Sequence, residues 1–248
     1  MKKSAIILAG GEGKRMKSDI PKPMNKVLSV PMLRWVMNAV RAAGVENICV
    51  VTGYKKECIE DYVRELPFPV VTVFQSERLG TGHAVMMCKD FLKENEGDVV
   101  ILCGDAPFMD KDTIRNSLTQ HEDGYSATVI SAVLSDPTGY GRIVRNENGT
   151  LKEIVEQKDA DEETLKIQEV NSGGYWFDSS DLLSVLDDIK AENKAKEYYL
   201  PDALTLLLQR GKKVSAFTAD SPDTVLGAND PAQLKELENI AIEKGYQP

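Results

Sequence analysis

The 248-residue chain has only two histidines, and its four cysteines (Cys49, Cys58, Cys88 and Cys103) form no Cys-x-x-Cys pair. Neither a zinc site nor a disulfide framework is supported by that pattern. Cys49 and Cys103 lie inside apolar runs and read as small core residues. Thiols left reduced fit a cytoplasmic compartment. Long hydrophobic runs are also missing. The N-terminal Ala5-Ile6-Ile7-Leu8-Ala9 is too short for a signal-peptide core, and nothing approaches the ~20 apolar residues of a membrane span. Positive charge is not in excess: the net charge is −9, which does not favour nucleic acid. A soluble monomer or small homo-oligomer is expected, with no membrane and no nucleic-acid partner.

What is present is a globular balance, 42% hydrophobic and 28% charged residues, which excludes disorder and coiled coil. A chain this long buries roughly 70–75% of its unfolded surface, enough for one α/β domain or at most two. Short apolar runs alternate with helical patterns. Strands are predicted over 5–9, 47–52, 70–74, 98–103, 127–134, 174–177 and 213–217. Helices are predicted over 32–43, 55–65, 82–92, 113–122, 181–190, 201–209 and 231–244. The first four strands are apolar almost throughout, as strands covered on both faces are. The alternation implies an α/β fold with a doubly wound, mainly parallel mixed sheet. Later, segments 142–145 and 151–156 flank Glu147-Asn148-Gly149, a hairpin signal. One domain over 1–248 is expected, with a first lobe over about 1–125, a smaller β-rich lobe over about 126–228 and a C-terminal helix over 229–248.

The first strand runs directly into LAGGEGKRM, residues 8–16. Gly10, Gly11 and Gly13 allow close backbone approach and positive φ, and successive N–H groups make an anion cradle. Arg15 supplies a planar fork for phosphate oxygens and Lys14 a point charge. The loop satisfies neither the Walker A nor the dinucleotide-binding spacing, because Arg15 follows Lys14 and Met16 stands where a third glycine is needed. The alternative is a tight turn that binds nothing. Lys22, held between Pro21 and Pro23, is either a second phosphate ligand or a solvated surface lysine.

LAGGEGKRM followed by Pro21-Lys22 resembles the signature of the sugar-1-phosphate nucleotidylyltransferases. Among them it is similar to the uridylyltransferase half of the bacterial bifunctional N-acetylglucosamine-1-phosphate uridylyltransferase/acetyltransferases. Seven further motifs follow in the family's order, and the likeness covers about residues 4–240. It implies a Rossmann-like nucleotide-diphospho-sugar transferase fold, with the second lobe binding sugar, and UTP and a sugar-1-phosphate as partners. Leu8, Ala9, Gly10, Gly11 and Gly13 would line the nucleotide. QSERLGTGHAV (75–85) implies that Gln75, Gly80 and Thr81 hold the base, with His83 structural. In VVILCGDAPF (99–108), Asp105 ends a buried strand and suits Mg²⁺; the alternative is a turn or capping aspartate. GYGRI (139–143), IVEQKDA (154–160) and EVNSGGYWF (169–177) imply sugar contacts from Gly141, Glu156 and Asn171. EYYLPD (197–202) resembles the family's EYYLTD. In VLGAND (225–230), Asn229 corresponds to a second metal ligand, and by itself reads as a helix N-cap before Pro231.

The resemblance implies in-line attack of the sugar phosphate on the α-phosphorus of UTP, with Arg15, Lys22 and Asp105 catalytic and no covalent protein intermediate. Three departures bear on substrate. The family usually has Thr at position 14, Pro-Lys-Val-Leu at 21–24 and a tyrosine at Cys103, which lies near the sugar. Sugar and base preference stay open, and a silent sugar-nucleotide sensor or an interaction module are the rival classes. No hexapeptide repeat follows Gly245, so acetyl-transfer chemistry is not expected.

Overall fold

The computed structural model describes residues 2–248; residue 1 of the expected domain lies outside them. In chain order, β1 (Lys2–Leu8) leads through two short 3₁₀ turns to β2 (Lys26–Val27), β3 (Val30–Pro31), α1 (Met32–Ala42), β4 (Asn47–Thr52), α2 (Lys56–Arg64), β5 (Val71–Phe74), α3 (Thr81–Met86), α4 (Lys89–Glu94) and β6 (Gly97–Cys103). There follow α5 (Lys111–His121), β7 (Ala127–Val133), β8 (Arg142–Arg145), β9 (Leu151–Val155), α6 (Glu162–Leu165), β10 (Glu169–Asp178), α7 (Ser179–Val185), α8 (Asp202–Gln209), β11 (Val214–Thr218) and α9 (Pro231–Lys244).

The main sheet has the order β11-β7-β10-β6-β1-β4-β5. Every neighbouring pair along it is parallel except those of β10, which runs antiparallel to β6 and β7. The β8–β9 hairpin hangs from β10 through Val170 and Arg142. This is a doubly wound, mainly parallel mixed α/β sheet. Successive side chains of a strand point to opposite faces, so each central strand feeds two cores. Ile6 packs on one face with Cys49, Ile101, Val85 and Leu204. Ala5 and Ile7 pack on the other with Val50, Val36 and Ile114. Helices cover both faces, which is why β1, β4 and β6 read as continuous apolar runs.

A third, smaller cluster lies beside the sheet. Val27, Trp35 and Phe108 meet Ala228, Leu237 and Ala241 there. The Trp35 indole also donates to the Val27 carbonyl at 3.2 Å. This cluster ties α9 to the loops after β1 and β6.

The structure departs from the expected elements in specific places. The predicted helix over 82–92 is two helices that break at Met87-Cys88. Buried Cys88, its sulfur 3.9 Å from that of Cys49, anchors the junction, while Ala84, Val85, Phe91 and Leu92 all stay on the sheet. β10 is longer than the predicted 174–177, because the polar Asn171-Ser172-Gly173 stretch joins it with a register shift. Such a bulge breaks the period-2 signal. The short β2–β3 pair and α6 carry too few residues for a periodic pattern.

Candidate active site

The chain leaves β1 toward β4 on one side and returns to β6 on the other. A ligand crevice forms where strand order reverses in this way, at the carboxyl ends of the strands. Three loops are stitched together there. The Ala9 N–H donates to the Val51 carbonyl at 2.9 Å, the Gly104 N–H to the Leu8 carbonyl at 2.9 Å, and the Gln75 N–H to the Thr52 carbonyl at 2.9 Å. Leu8 and Ala9 thus extend the sheet to the rim of the crevice.

Of the three loop glycines, which allow close approach and positive φ, only Gly13 takes a positive φ, +63°. A Cβ on Gly13 would stand 2.8 Å from the Lys22 Cβ, so the glycine lets the lysine stem pass. Gly10 serves close approach instead: a Cβ added to Gly53 would meet the Gly10 carbonyl oxygen at 2.4 Å. Nothing lies within 4 Å of a Cβ on Gly11. Arg15 sits exposed on the 3₁₀ turn Lys14–Met16.

Lys22 and the two expected metal ligands converge. The Lys22 ammonium pairs closely with the Asp105 carboxylate and donates to the Asn229 Oδ1 at 2.7 Å. An oxygen of each residue therefore faces one point, although 207 positions separate Lys22 from Asn229. Asn229 is not the cap of α9. Asp230 is, its carboxylate accepting from the Gln233 N–H at 2.9 Å, and this frees the Asn229 amide to face the crevice. A carboxylate and an amide carbonyl are hard oxygen donors of the kind Mg²⁺ takes together with phosphate oxygens and water, so the pair fits that ion. No group of three or more His, Cys, Asp or Glu side chains able to hold a metal occurs among the described residues.

Among the residues expected to hold the base, the Gln75 Nε2 donates to the Gly80 carbonyl at 3.1 Å and lies 3.1 Å from the His83 Nδ1. His83 thus orients the amide, a structural role. Gly80 has φ +109°, and a Cβ on it would strike the Tyr198 carbonyl at 2.6 Å. The Thr81 hydroxyl accepts from the Leu200 N–H at 3.0 Å, and the Gly82 N–H donates to the Tyr198 carbonyl at 2.7 Å. Residues 198–200 of the EYYLPD motif therefore brace the Gly80–Gly82 loop.

The expected sugar residues also gather. The Asn171 N–H donates to the Gly141 carbonyl at 2.9 Å, and a Cβ on Gly141 would come within 3.2 Å of the Glu156 Oε1. Cys103 ends β6 beside them. Burial and the Asp105 carboxylate push its thiol up to about 12, so it stays a neutral thiol. Glu156 is raised by burial and by Asp159 and Asp202. These three carboxylates share a cleft of about 450 Å³.

Asp202 is raised to about 6 by burial and then by Asp159. Its ordinary value is lower, so the folded state is penalised above pH 6, where the carboxyl is ionised in both states. The penalty fades as the pH falls through 6 toward the unfolded value. Asp202→Asn is expected to stabilise the fold at pH 8, by on the order of 1 kcal/mol once solvent screening is allowed for. The gain should vanish by about pH 4. Thermal melts of both proteins across that range check it.

Two participants escape sequence reasoning. Arg78 bridges from the segment before Gly80 to Glu12 of the glycine loop at 3.1 Å, a contact that no local pattern signals. Tyr175 carries the other, through its hydrogen bond to Asn171.

An open α/β crevice walled by a glycine loop, a clamped lysine and a pair of hard oxygen donors defines a protein that handles nucleotide phosphates. Residues 4–223 match the family model described as Nucleotidyl transferase, and the chain belongs to that family. It is 42% identical over 237 residues to the bifunctional protein GlmU of Acetivibrio thermocellus, covering 95% of this chain and 51% of that one. It is 44% identical over 241 residues to GlmU of Clostridium beijerinckii, covering 97% and 52%. The chain thus spans about half the length of the curated relatives it matches. Its fold resembles that of a putative glucose-1-phosphate thymidylyltransferase from Bacillus anthracis, with a TM-score of 0.79, 21% identity, and 99% and 98% of the two chains covered. It also resembles UDP-glucose pyrophosphorylase, solved with UDP-glucose, with a TM-score of 0.78, 22% identity, and 98% and 100% covered.

Proposed function

We propose that the chain transfers the uridylyl group of UTP to N-acetylglucosamine-1-phosphate, releasing UDP-N-acetylglucosamine and pyrophosphate. The convergence of Asp105 and Asn229 on the Lys22 ammonium, beside the glycine loop, carries this reading. The likeness to GlmU over nearly the whole chain supports the choice of sugar and base. The sugar phosphate oxygen forms a bond to the α-phosphorus while the bond from that phosphorus to the β-phosphate oxygen breaks. The glycine-loop amides and Arg15 hold the departing pyrophosphate, and Lys22 offsets charge at the transferring phosphorus. Gln75, Gly80 and Thr81 orient the uracil; Gly141, Glu156 and Asn171 hold the sugar. Asp105 and Asn229 would hold Mg²⁺, which would supply neutralisation of the phosphate oxygens. Four free cysteines fit action in the cytoplasm.

Pyrophosphate release tests the reading, measured with UTP, N-acetylglucosamine-1-phosphate and Mg²⁺ beside other sugar phosphates and nucleoside triphosphates. Release with this pair far above the rest is expected. Release with another pair moves the substrate and keeps the chemistry. Nucleotide binding without release from any pair overturns catalysis and leaves a sensor.

A further inference from the structure

Tyr175 lies on β10 opposite Ile101 of β6, on the sheet face that also carries Cys103. Only 3% of it is exposed. Its hydroxyl accepts a hydrogen bond from the Asn171 Nδ2 at 2.6 Å, and the Asn171 Oδ1 accepts from the Gly173 N–H at 2.9 Å. The second bond fixes which end of the amide is oxygen, because a backbone N–H can only donate. The first bond then holds the nitrogen end. Both ends of the Asn171 side chain are thereby pinned, leaving one N–H and one lone pair. The Gly173–Asn171–Tyr175 chain is built by the bulge of β10, where Gly173 adopts φ +75°. Burial and the nearby Glu156 carboxylate hold the phenol well above its ordinary range, so it stays protonated.

Resting on the sugar-site reading above, we infer that Tyr175 is a positioning residue for the acceptor sugar, acting through Asn171 by fixing the orientation of its side-chain amide. The pinned amide presents its remaining N–H in a single direction. That preorganisation favours a sugar phosphate with an acceptor oxygen at that place, such as an acetamido carbonyl or a ring hydroxyl.

Tyr175→Phe keeps the ring and its packing and removes only the hydroxyl. The KM for the sugar phosphate should rise about tenfold, the loss of one ordered hydrogen bond, while the KM for UTP stays unchanged. In an Asn171→Ala background the same substitution should add less than about twofold, because the two residues act as one unit. An unchanged sugar KM, or full additivity in the double variant, overturns the inference. If the wild-type protein releases no pyrophosphate with any sugar phosphate, the uridylyl-transfer reading is what fails. The inference is then read from the Asn171 side-chain amide resonances, identified by their loss in Asn171→Ala. They should shift in Tyr175→Phe, and unmoved resonances overturn it.

Discussion

Asp105→Asn is expected to lower turnover by on the order of 10²–10³-fold or more, the typical loss when one charge-stabilising group is removed from such a site, while the fold persists. Asp105 lies two residues past Cys103, the last residue of β6, and its carboxylate shares the Lys22 ammonium with Asn229. The amide has the same shape and still offers one oxygen, so packing is preserved. It lacks the negative charge that pairs with the lysine and that would attract a divalent cation. Steady-state pyrophosphate release gives the turnover and a thermal melt gives the stability. Turnover like that of the wild type, with an unchanged melt, would remove Asp105 from the chemistry.

A larger effect on the fold is expected from a residue that no motif marks. In Gly53→Ala the new Cβ would stand 2.4 Å from the Gly10 carbonyl oxygen and 2.7 Å from the Gly10 Cα. Both are backbone atoms, so no side chain can swing aside. The clash falls where the Tyr54 N–H donates to that same carbonyl at 3.1 Å, so relief means displacing the glycine loop from β4. Overpacking of this kind costs about 1–3 kcal/mol and occasionally more. UTP affinity should fall more than tenfold with it, since a loop shifted by an ångström loses its alignment. Gly11→Ala, with open space around the new methyl, should leave the stability within about 0.5 kcal/mol of the wild type. Calorimetric melts and UTP titrations separate the two; equal behaviour would mean that the Gly10–Gly53 contact does not govern the loop.

The sequence discloses much of this architecture because the central strands are buried on both faces. Runs such as Ile6-Ile7-Leu8 and Val99-Val100-Ile101-Leu102 have few other homes in an α/β protein. The glycine loop and the aspartate after β6 are legible for a related reason: both follow directly from a strand end, where the crevice must be. Less legible are features set by distant partners. Asn229 and Asp230 compete for the cap of α9, and only the position of Lys22 shows which one turns toward the crevice. Gly53 reads as an ordinary turn glycine until Gly10 is placed against it. The role of Tyr175 depends on a bulge that the polar Asn171-Ser172-Gly173 stretch disguises as a loop.

The small cluster around Trp35 and Phe108 has a consequence for how the protein is made. Lys22 is near the beginning of the chain and emerges from the ribosome early, but its partner Asn229 is delivered by the segment that α9 fixes through Ala228 and Leu237. At a synthesis rate of about 5–20 residues per second, the lysine waits roughly 10–40 seconds for the asparagine. Every strand of the main sheet except β1, which precedes Lys22, is translated in that interval. A nascent chain arrested before Ala228 therefore carries every strand of the main sheet yet lacks both Asn229 and the helix that fixes it.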